Sequence, residues 1–251
     1  MNQESHWDSI ASNYNKEIFD VFKSDRKKIL PRYFKKHSNE GSSAMDFGCG
    51  TGKAFPYVAP LFKNILALDI SAECLRIARQ TPYDNISFKR MDLAKRNIRL
   101  PTVDFVFSCN VIMLPEISKN EIMMKNVQKS LRANGTALLV VPSFDSVLYA
   151  SWRMIDWYRK EGVTPEKIPS SELSYFKGNK RDILQGIVHI DGVRTKHYSE
   201  AELEVLIDRA GLKITAMEKL SYDWNTEFSD PPAWMGEPYP WDWLIECKKL
   251  Q

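Results

Sequence analysis

Short apolar runs alternate along this chain with stretches in which apolar residues recur at helical spacing. Runs of four to eight apolar residues without polar alternation are typical of strands that are buried on both faces. In the first part of the chain, this pattern predicts five strands, at residues 43–47, 63–69, 85–90, 103–111 and 135–142. Strands separated by helical stretches predict a parallel sheet with helices on both of its faces.

The sequence also predicts two amphipathic helices. An amphipathic helix is predicted at 121–131, closed by Ala133-Asn134-Gly135, and a second at 199–210, where Ser199 and Glu202 form a capping box and Gly211 ends the helix. Two further strands are predicted at 212–217 and 243–248. The segment 143–198 exceeds a normal connection and should hold extra structure: a helix at 145–160 and a strand at 186–194.

The first predicted strand ends in a turn with three glycines, Met45-Asp46-Phe47-Gly48-Cys49-Gly50-Thr51-Gly52. Glycine adopts positive φ at little steric cost and lets backbone approach a ligand closely, so this turn predicts a nucleotide site. The dinucleotide fingerprint requires G-x-G-x-x-G, whereas here the third glycine comes one residue early. The spacing therefore favours a ligand other than NAD.

With Asp46 before G-x-G-x-G, the chain resembles the class I S-adenosylmethionine-dependent methyltransferases, and a second carboxylate supports the resemblance. Asp69 ends the next apolar strand about 20 residues on, where an α/β unit brings an acid to the ribose hydroxyls. Asp92 follows the third strand, where the family places a residue near the adenine. A strand-end Asp is alternatively a turn or capping residue. The resemblance implies S-adenosylmethionine as cofactor, bound by Tyr14, Asp46, Gly48, Cys49, Gly50, Thr51, Gly52, Asp69, Ile70, Met91, Asp92, Leu93, Cys109 and Asn110.

Trp7-Asp8-Ser9-Ile10-Ala11-Ser12-Asn13-Tyr14 is similar to the lead-in of small-molecule members of this family, in which the tyrosine approaches the methionine end of the cofactor. The resemblance implies a Rossmann-like, doubly wound α/β fold, whose seven-stranded sheet has an antiparallel strand 7. It also implies a substrate-roof insertion after strand 5. We expect one methyltransferase domain over 1–251, made of a helical lead-in (1–40), a cofactor-binding core (41–142), the insertion (143–198) and the end of the core (199–251).

Candidate catalytic residues lie in the insertion. His189 and Asp191 share a strand face if residues 187–193 are extended, and His197 follows; these three could remove a proton from a protic acceptor. Alternatively, His189 and Asp191 form only a structural hydrogen bond. Four tryptophans between Trp224 and Trp243 could line an acceptor pocket or simply pack along the last strands.

Composition narrows the function further. The 251 residues have a net charge of +3, too small to indicate a polyanion partner, although basic residues crowd one predicted helix between Lys23 and Lys36. We expect no metal site, because no His, Asp or Glu cluster has ligand spacing, and the four scattered cysteines suggest neither zinc nor disulfides. The start of the chain lacks a signal-peptide pattern and no run of about 18 apolar residues occurs, which predicts a cytoplasmic protein without a membrane span.

The leading hypothesis is methyl transfer from S-adenosylmethionine to an O, N, S or C atom of a small molecule, which could be partly apolar. Two alternatives stay open: a non-catalytic, cofactor-binding regulatory protein, and an RNA methyltransferase that uses the basic helix. Nucleic acid is the less favoured partner. The sequence does not select the acceptor or an oligomeric state.

Overall fold

A seven-stranded mixed sheet runs through the protein, whose computed structural model describes residues 3–14, 18–172, 178–190 and 192–249. A separate two-stranded hairpin lies in the insertion. The strands are β1 (Asn39–Phe47), β2 (Phe62–Asp69), β3 (Ile86–Arg90), β4 (Val103–Cys109), β5 (Leu131–Pro142), β6 (Ile187–Ile190), β7 (Val193–Lys196), β8 (Leu212–Ser221) and β9 (Trp241–Lys249).

Helices cover both faces of the sheet. The α-helices are α1 (Gln3–Ile10), α2 (Val21–Ser24), α3 (Ile29–His37), α4 (Phe55–Val58), α5 (Ala72–Ala78), α6 (Ile117–Ser130), α7 (Phe144–Lys160), α8 (Lys180–Leu184) and α9 (Glu200–Arg209). Alternation along β4 separates two apolar cores. Phe105 and Phe107 pack with Phe34 of α3 on one face, whereas Val106 packs with Met124 of α6 on the other.

The order of the large sheet is β3-β2-β1-β4-β5-β9-β8. β1 to β5 pair in parallel, and β9 is antiparallel to both β5 and β8. The order reverses between β1 and β4, and in open α/β sheets ligands bind beyond the carboxyl ends of the strands at such a point. This topology confirms the predicted Rossmann-like fold class, including the antiparallel last strand. The division of the chain into a lead-in, a core and an insertion stays a prediction.

The helix before β5 ends within one residue of its predicted end at Leu131, but the predicted closing pattern Ala133-Asn134-Gly135 does not cap it. α6 ends at Ser130, and Leu131 is already extended and pairs with Val103 of β4. Asn134 does have a left-handed φ of 64°, but it lies within the irregular start of β5. Leu131 is fully buried, so sheet pairing and apolar burial outweigh the local signal for a helix end.

The single basic helix predicted between Lys23 and Lys36 is also wrong, because the segment forms α2 and α3. The buried carboxylate of Asp25 accepts a hydrogen bond from the Leu30 backbone N–H at 2.9 Å, which fixes the start of α3. Lys28, which precedes α3, adopts a φ of 52°.

The insertion holds the predicted helix, α7, but the strand predicted at 186–194 is a β6–β7 hairpin. His189 pairs with Arg194, and Gly192 in the turn has a φ of 78°. Glycine at this point permits the chain reversal that the extended interpretation overlooked. Asp191 lies outside the described residues, so the shared strand face of His189 and Asp191 stays a prediction.

Among the described residues, no helix combines the length and apolar character needed to cross a bilayer.

Candidate functional site

The glycine turn follows β1 at the carboxyl edge of the sheet. Gly48, Gly50 and Gly52 all have positive φ, at 91°, 53° and 90°. The backbone N–H groups of Gly48 and Cys49 both donate to the Leu68 carbonyl, at 2.9 and 2.8 Å, which ties the turn to the neighbouring strand β2. The turn is therefore held in a conformation that only glycine adopts without strain at three positions.

Tyr14 closes over this turn. A Cβ atom added to Gly50 would lie 2.5 Å from the Tyr14 hydroxyl, and the ammonium group of Lys53 lies 5.2 Å from the centre of the Tyr14 ring. Burial raises the pKa of Tyr14, with a further contribution from the Asp69 carboxylate, so the phenol stays neutral. The lead-in segment and the glycine turn thus meet, and the approach of Tyr14 to the cofactor stays a prediction.

Asp69 ends β2 directly beside the turn. Its two carboxylate oxygens accept hydrogen bonds from the backbone N–H groups of Gly50 at 2.8 Å and Ser71 at 2.9 Å. A carboxylate oxygen can accept more than one hydrogen bond, so each retains capacity for a ligand hydroxyl. Asp69 therefore fixes the turn and can also bind a ligand.

Asp46 lies on β1 under the turn and is only 3% exposed. Its Oδ2 atom has no hydrogen-bond partner, and no cation forms an ion pair with Asp46 within the described part of the chain. Burial and the neighbouring Asp69 carboxylate raise the pKa of Asp46 to about 8. An unpartnered buried carboxylate is costly unless a ligand completes it.

The other predicted cofactor residues extend along the same edge. The Met91 N–H donates to the Asp69 carbonyl at 2.8 Å, which brings the end of β3 to the end of β2. Asp92 accepts the Ala94 N–H at 3.0 Å in a turn, as the capping alternative anticipated. Leu93 is buried in the core, whereas Ile70 is half-buried and its carbonyl accepts the Arg90 side chain at 3.1 Å.

The end of β4 connects the turn with the last strand of the sheet. Asn110 has a φ of 53°, and its side-chain amide donates to Asp242 of β9 at 3.1 Å, while its Oδ1 atom is buried without a partner. The Tyr222 hydroxyl also donates to Asp242, at 2.8 Å. The next residue, Val111, packs against Gly48, so this network reaches the glycine turn.

A partly enclosed cavity lies beyond the carboxyl end of β5, under α7, and contains about 400 Å³ of space that is in part open to solvent. We call it the α7 cavity. Its lining residues are Ser143, Ser146, Val147, Ala150, Ile190, His197, Glu227, Trp241 and Asp242. Asp242 both lines the cavity and binds Asn110, so a chain of contacts through Asn110 and Val111 connects the cavity with the glycine turn.

Comparison with known proteins agrees with this geometry. A family model described as a methyltransferase domain matches residues 44–135. A Saccharomyces cerevisiae protein named as a probable S-adenosylmethionine-dependent methyltransferase, CRG1, is 31% identical over 169 residues, which are 62% of this chain and 53% of that protein. The chain thus matches about half the length of this curated relative.

Solved structures show the same fold. The complex of the Haloferax volcanii Trm112 methyltransferase activator with a methyltransferase matches at a TM-score of 0.65 and 15% identity, covering 100% of this chain and 98% of the other. The DhpI–SAM–HEP complex matches at a TM-score of 0.64 and 18% identity, covering 98% and 95%. Residues 44–135 thus match a methyltransferase domain, and these comparisons support the predicted class I S-adenosylmethionine-dependent methyltransferase family and its cofactor, S-adenosylmethionine.

The residues of this methyltransferase site fit the cofactor. S-adenosylmethionine carries positive charge on its sulfonium and ammonium groups, and Asp46 supplies an unpartnered buried carboxylate beside the turn. Asp69 offers acceptors for ribose hydroxyls, and Gly50 provides the close backbone approach that a side chain would block.

The two predicted catalytic histidines lie in different surroundings. His197 is buried and lines the α7 cavity, where burial lowers its pKa to about 4 and its Nδ1 lies 3.3 Å from the Thr195 carbonyl. A neutral imidazole can still bind a substrate, but it is a weak base. His189 is half-buried on β6 and is not part of the cavity wall as described, and Asp191 lies outside the described residues.

Several residues at the site were missed in the sequence. Asp242 could have been found, because an antiparallel last strand begins at the edge where parallel strands end. Glu227 follows a short 3₁₀ turn, Trp224–Thr226, and carries no motif. Of the tryptophans, Trp241 lines the cavity, Trp224 packs in a small core with Met235, and Trp243 donates to the Tyr198 carbonyl at 3.1 Å.

Proposed function

We propose that this protein transfers a methyl group from S-adenosylmethionine to a small molecule bound in the α7 cavity. The observation that carries the proposal is the buried, unpartnered carboxylate of Asp46 next to Asp69 at a glycine turn. A cationic ligand with ribose hydroxyls satisfies both carboxylates, whereas without it burial raises the pKa of both groups.

Each residue has a separate task in this proposal. Asp69 binds the ribose, the glycine turn lets the nucleoside lie against the backbone, and Tyr14 covers the methionine end. When bound, the cofactor supplies an electrophilic methyl group on a sulfonium. The protein gains rate chiefly by holding the acceptor in line with that methyl group in a cleft from which water is excluded.

The cavity supports a small acceptor. Its wall combines apolar side chains such as Val147 and Ile190 with a few polar groups, as the walls of small-molecule sites do. The acceptor is therefore a small, partly apolar molecule. We retain the cytoplasmic location as part of the proposal.

The test is isothermal calorimetry with S-adenosylhomocysteine, the demethylated product. Asp69→Asn should weaken binding about 10- to 150-fold, because hydrogen bonds to a charged group contribute about 1.5–3 kcal/mol each. Because Asn has nearly the same volume as Asp, we do not expect the weaker binding of this variant to come from unfolding. The matched control is Asp84→Asn on an exposed turn, which should bind as the wild type does. Equal affinity in the Asp69 variant would remove this residue from the cofactor site.

The alternative of RNA methylation has weaker support. Arg32 forms a bidentate pair with Glu218 at 2.7 and 2.8 Å, Lys36 lies 2.5 Å from Glu246, and Arg26 pairs with Asp223. These partners neutralise much of the basic segment. If RNA nevertheless binds there, its affinity should fall steeply between low and moderate salt.

The alternative of a non-catalytic regulatory protein predicts cofactor binding without turnover. Incubation with methyl-labelled S-adenosylmethionine and a metabolite extract separates the two, since label in a product requires transfer.

A further inference from the structure

Two carboxylates face the α7 cavity. Asp242 is fixed by hydrogen bonds from Tyr222 and Asn110, whereas the Glu227 carboxylate has no hydrogen-bond donor or ion-pair partner among the described residues. No lysine or arginine belongs to the cavity wall as described. The only other titratable side chain in this wall is His197, which burial keeps neutral at pH 7. The cavity is therefore negative in character.

A second observation points to a ligand. Trp241 forms part of the wall and is only 6% exposed, and its indole Nε1–H has no hydrogen-bond partner. Buried indole N–H groups usually have a partner, so a ligand acceptor atom would complete it. The cavity thus offers an unpaired carboxylate and an unpaired donor.

This arrangement discriminates between acceptor classes. A carboxylate or phosphate acceptor would be repelled by Glu227 and Asp242 without a cation in the wall to compensate. An ammonium group is attracted by both carboxylates. An ammonium nitrogen has no free electron pair, so it requires a base before it can react.

We propose that the α7 cavity binds a small primary or secondary amine in its ammonium form, and that Glu227 is the catalytic base that takes its proton. This inference rests on the proposed methyl transfer. It names the acceptor class and a residue that the sequence did not indicate.

The step balances in atoms and electrons. The ammonium N–H bond breaks and its proton goes to the Glu227 carboxylate, which leaves a neutral amine. The nitrogen lone pair then forms the new N–C bond, while the methyl–sulfur bond breaks and its electron pair stays on sulfur. The products are a methylated ammonium ion, S-adenosylhomocysteine and a protonated Glu227, which loses its proton to water.

The electrostatics suit this role. Burial and the nearby Asp242 carboxylate raise the pKa of Glu227 to about 7. A general base is most effective when its pKa lies near the working pH. Charged groups in this region include Asp242 on β9, whose own pKa burial raises, and Lys219 of β8, whose ammonium lies 3.8 Å from the centre of the Trp241 ring.

The test combines turnover with cofactor binding. Methyl transfer from labelled S-adenosylmethionine is measured for arylalkyl amines and for the matched alcohols, thiols and carboxylic acids. The same ligands are tested by thermal shift with S-adenosylhomocysteine present. Amines should be methylated and should raise Tm. Glu227→Gln should lower kcat for amines by about 10²- to 10⁴-fold and remove the acidic limb near pH 7 from the pH profile. Glu204→Gln, on the exposed face of α9, is the control and should leave both unchanged.

The outcomes separate the two proposals. Affinity for S-adenosylhomocysteine should be unchanged in Glu227→Gln, because this residue is not in the cofactor site. If the wild type binds the product but methylates only alcohols, thiols or acids, or if no amine is methylated or raises Tm, the amine proposal is wrong and the proposed methyl transfer survives. If the wild type does not bind S-adenosylhomocysteine at all, both proposals fail. A Glu227→Gln variant with full kcat overturns the role of Glu227.

Discussion

At the scale of single residues, Gly50 illustrates how much depends on a missing side chain. Its φ is 53°, and a Cβ atom there would meet the Tyr14 hydroxyl at 2.5 Å. We expect Gly50→Ala to weaken S-adenosylhomocysteine binding at least tenfold, because the turn or Tyr14 must move away from the position that receives the cofactor. Calorimetry measures this loss.

The matched control is Gly162→Ala. Gly162 also has a positive φ, of 83°, but a Cβ atom added there would meet nothing within 4 Å. Both substitutions carry backbone strain, and only the one at Gly50 also blocks the turn. Equal losses of affinity in the two variants would mean that strain alone, and not close approach, explains the need for glycine at Gly50.

Single residues also differ in how readily the sequence predicts them. The positive φ of Gly48, Gly50 and Gly52, and the places of Asp46 and Asp69 near the ends of β1 and β2, could be predicted because they follow from local conformation and the strand pattern; the cofactor roles of these residues stay a prediction. Glu227 could not be predicted in this way, because it lies outside the strands and its role comes from burial and the neighbouring charge of Asp242.

At the scale of elements, the carboxylate of Asp8 joins α1 to the start of α5. Asp8 accepts hydrogen bonds from the Ser71 hydroxyl at 2.6 Å and from the Glu73 N–H at 3.2 Å, at the start of α5. Ser71 in turn donates its backbone N–H to Asp69. The lead-in helix is therefore coupled to the ribose-binding carboxylate.

We expect Asp8→Ala to lower the free energy of unfolding by about 0.5–2 kcal/mol, the usual cost of losing a capping group. It should also weaken S-adenosylhomocysteine binding, because α1 no longer positions Tyr14. Denaturant unfolding and calorimetry measure the two effects. Asp8→Asn retains an acceptor oxygen and should recover most of both; if it behaves like the alanine variant, the negative charge and not the cap carries the effect.

Elements differ in how far the sequence predicts them. The central strands of the sheet could be predicted because their apolar runs are buried on both faces, and α9 had a clear start signal in Ser199; α7 was predicted from residue 145, and the structure starts it at Phe144 with Ser143 as its cap. The capping box at α9 is only half formed, since the Glu202 carboxylate binds the buried Lys196 at 2.5 Å. The ion pair with Lys196 thus replaces the hydrogen bond that Glu202 would make within the capping box. At the end of α6, the pairing of Leu131 with Val103 of β4 likewise replaces the predicted local cap.

At the scale of the whole molecule, the site draws on three separate parts of the chain. Tyr14 comes from the lead-in, His197 from the insertion and Glu227 from the segment before the last strand. Apart from Tyr14, the residues proposed to bind the cofactor lie in the α/β unit from β1 to the end of β4, whose strands the sequence predicted. The acceptor end depends on how these remote segments pack, which explains why the sequence identified the methyl donor and left the acceptor open.

The buried carboxylate of Glu246 on β9 connects helix α3 to the sheet. Glu246 of β9 is 3% exposed and accepts from Lys36 at 2.5 Å and from Thr215 of β8 at 2.5 Å, and its Oε2 lies 2.7 Å from His37 Nε2. Burial alone would raise the pKa of Glu246, but the hydrogen bonds from Lys36, Thr215 and His37 outweigh it and lower the pKa to about 2. Ionised Glu246 therefore links α3 to two strands.

The lowered pKa of Glu246 makes the stability of the fold depend on pH. The unfolded chain has the ordinary value of 4.5, so the contribution of Glu246 is fully present above pH 4.5 and is lost as the pH falls from 4.5 towards 2. We expect Glu246→Gln to lower the free energy of unfolding at pH 7 by at most about 3 kcal/mol, and by about half as much at pH 3. Urea unfolding at both pH values measures this difference. Glu204→Gln, at an exposed position, should show no pH-dependent difference. A Glu246→Gln deficit that is the same at both pH values would mean that packing, and not the ionised carboxylate, holds α3 against the sheet.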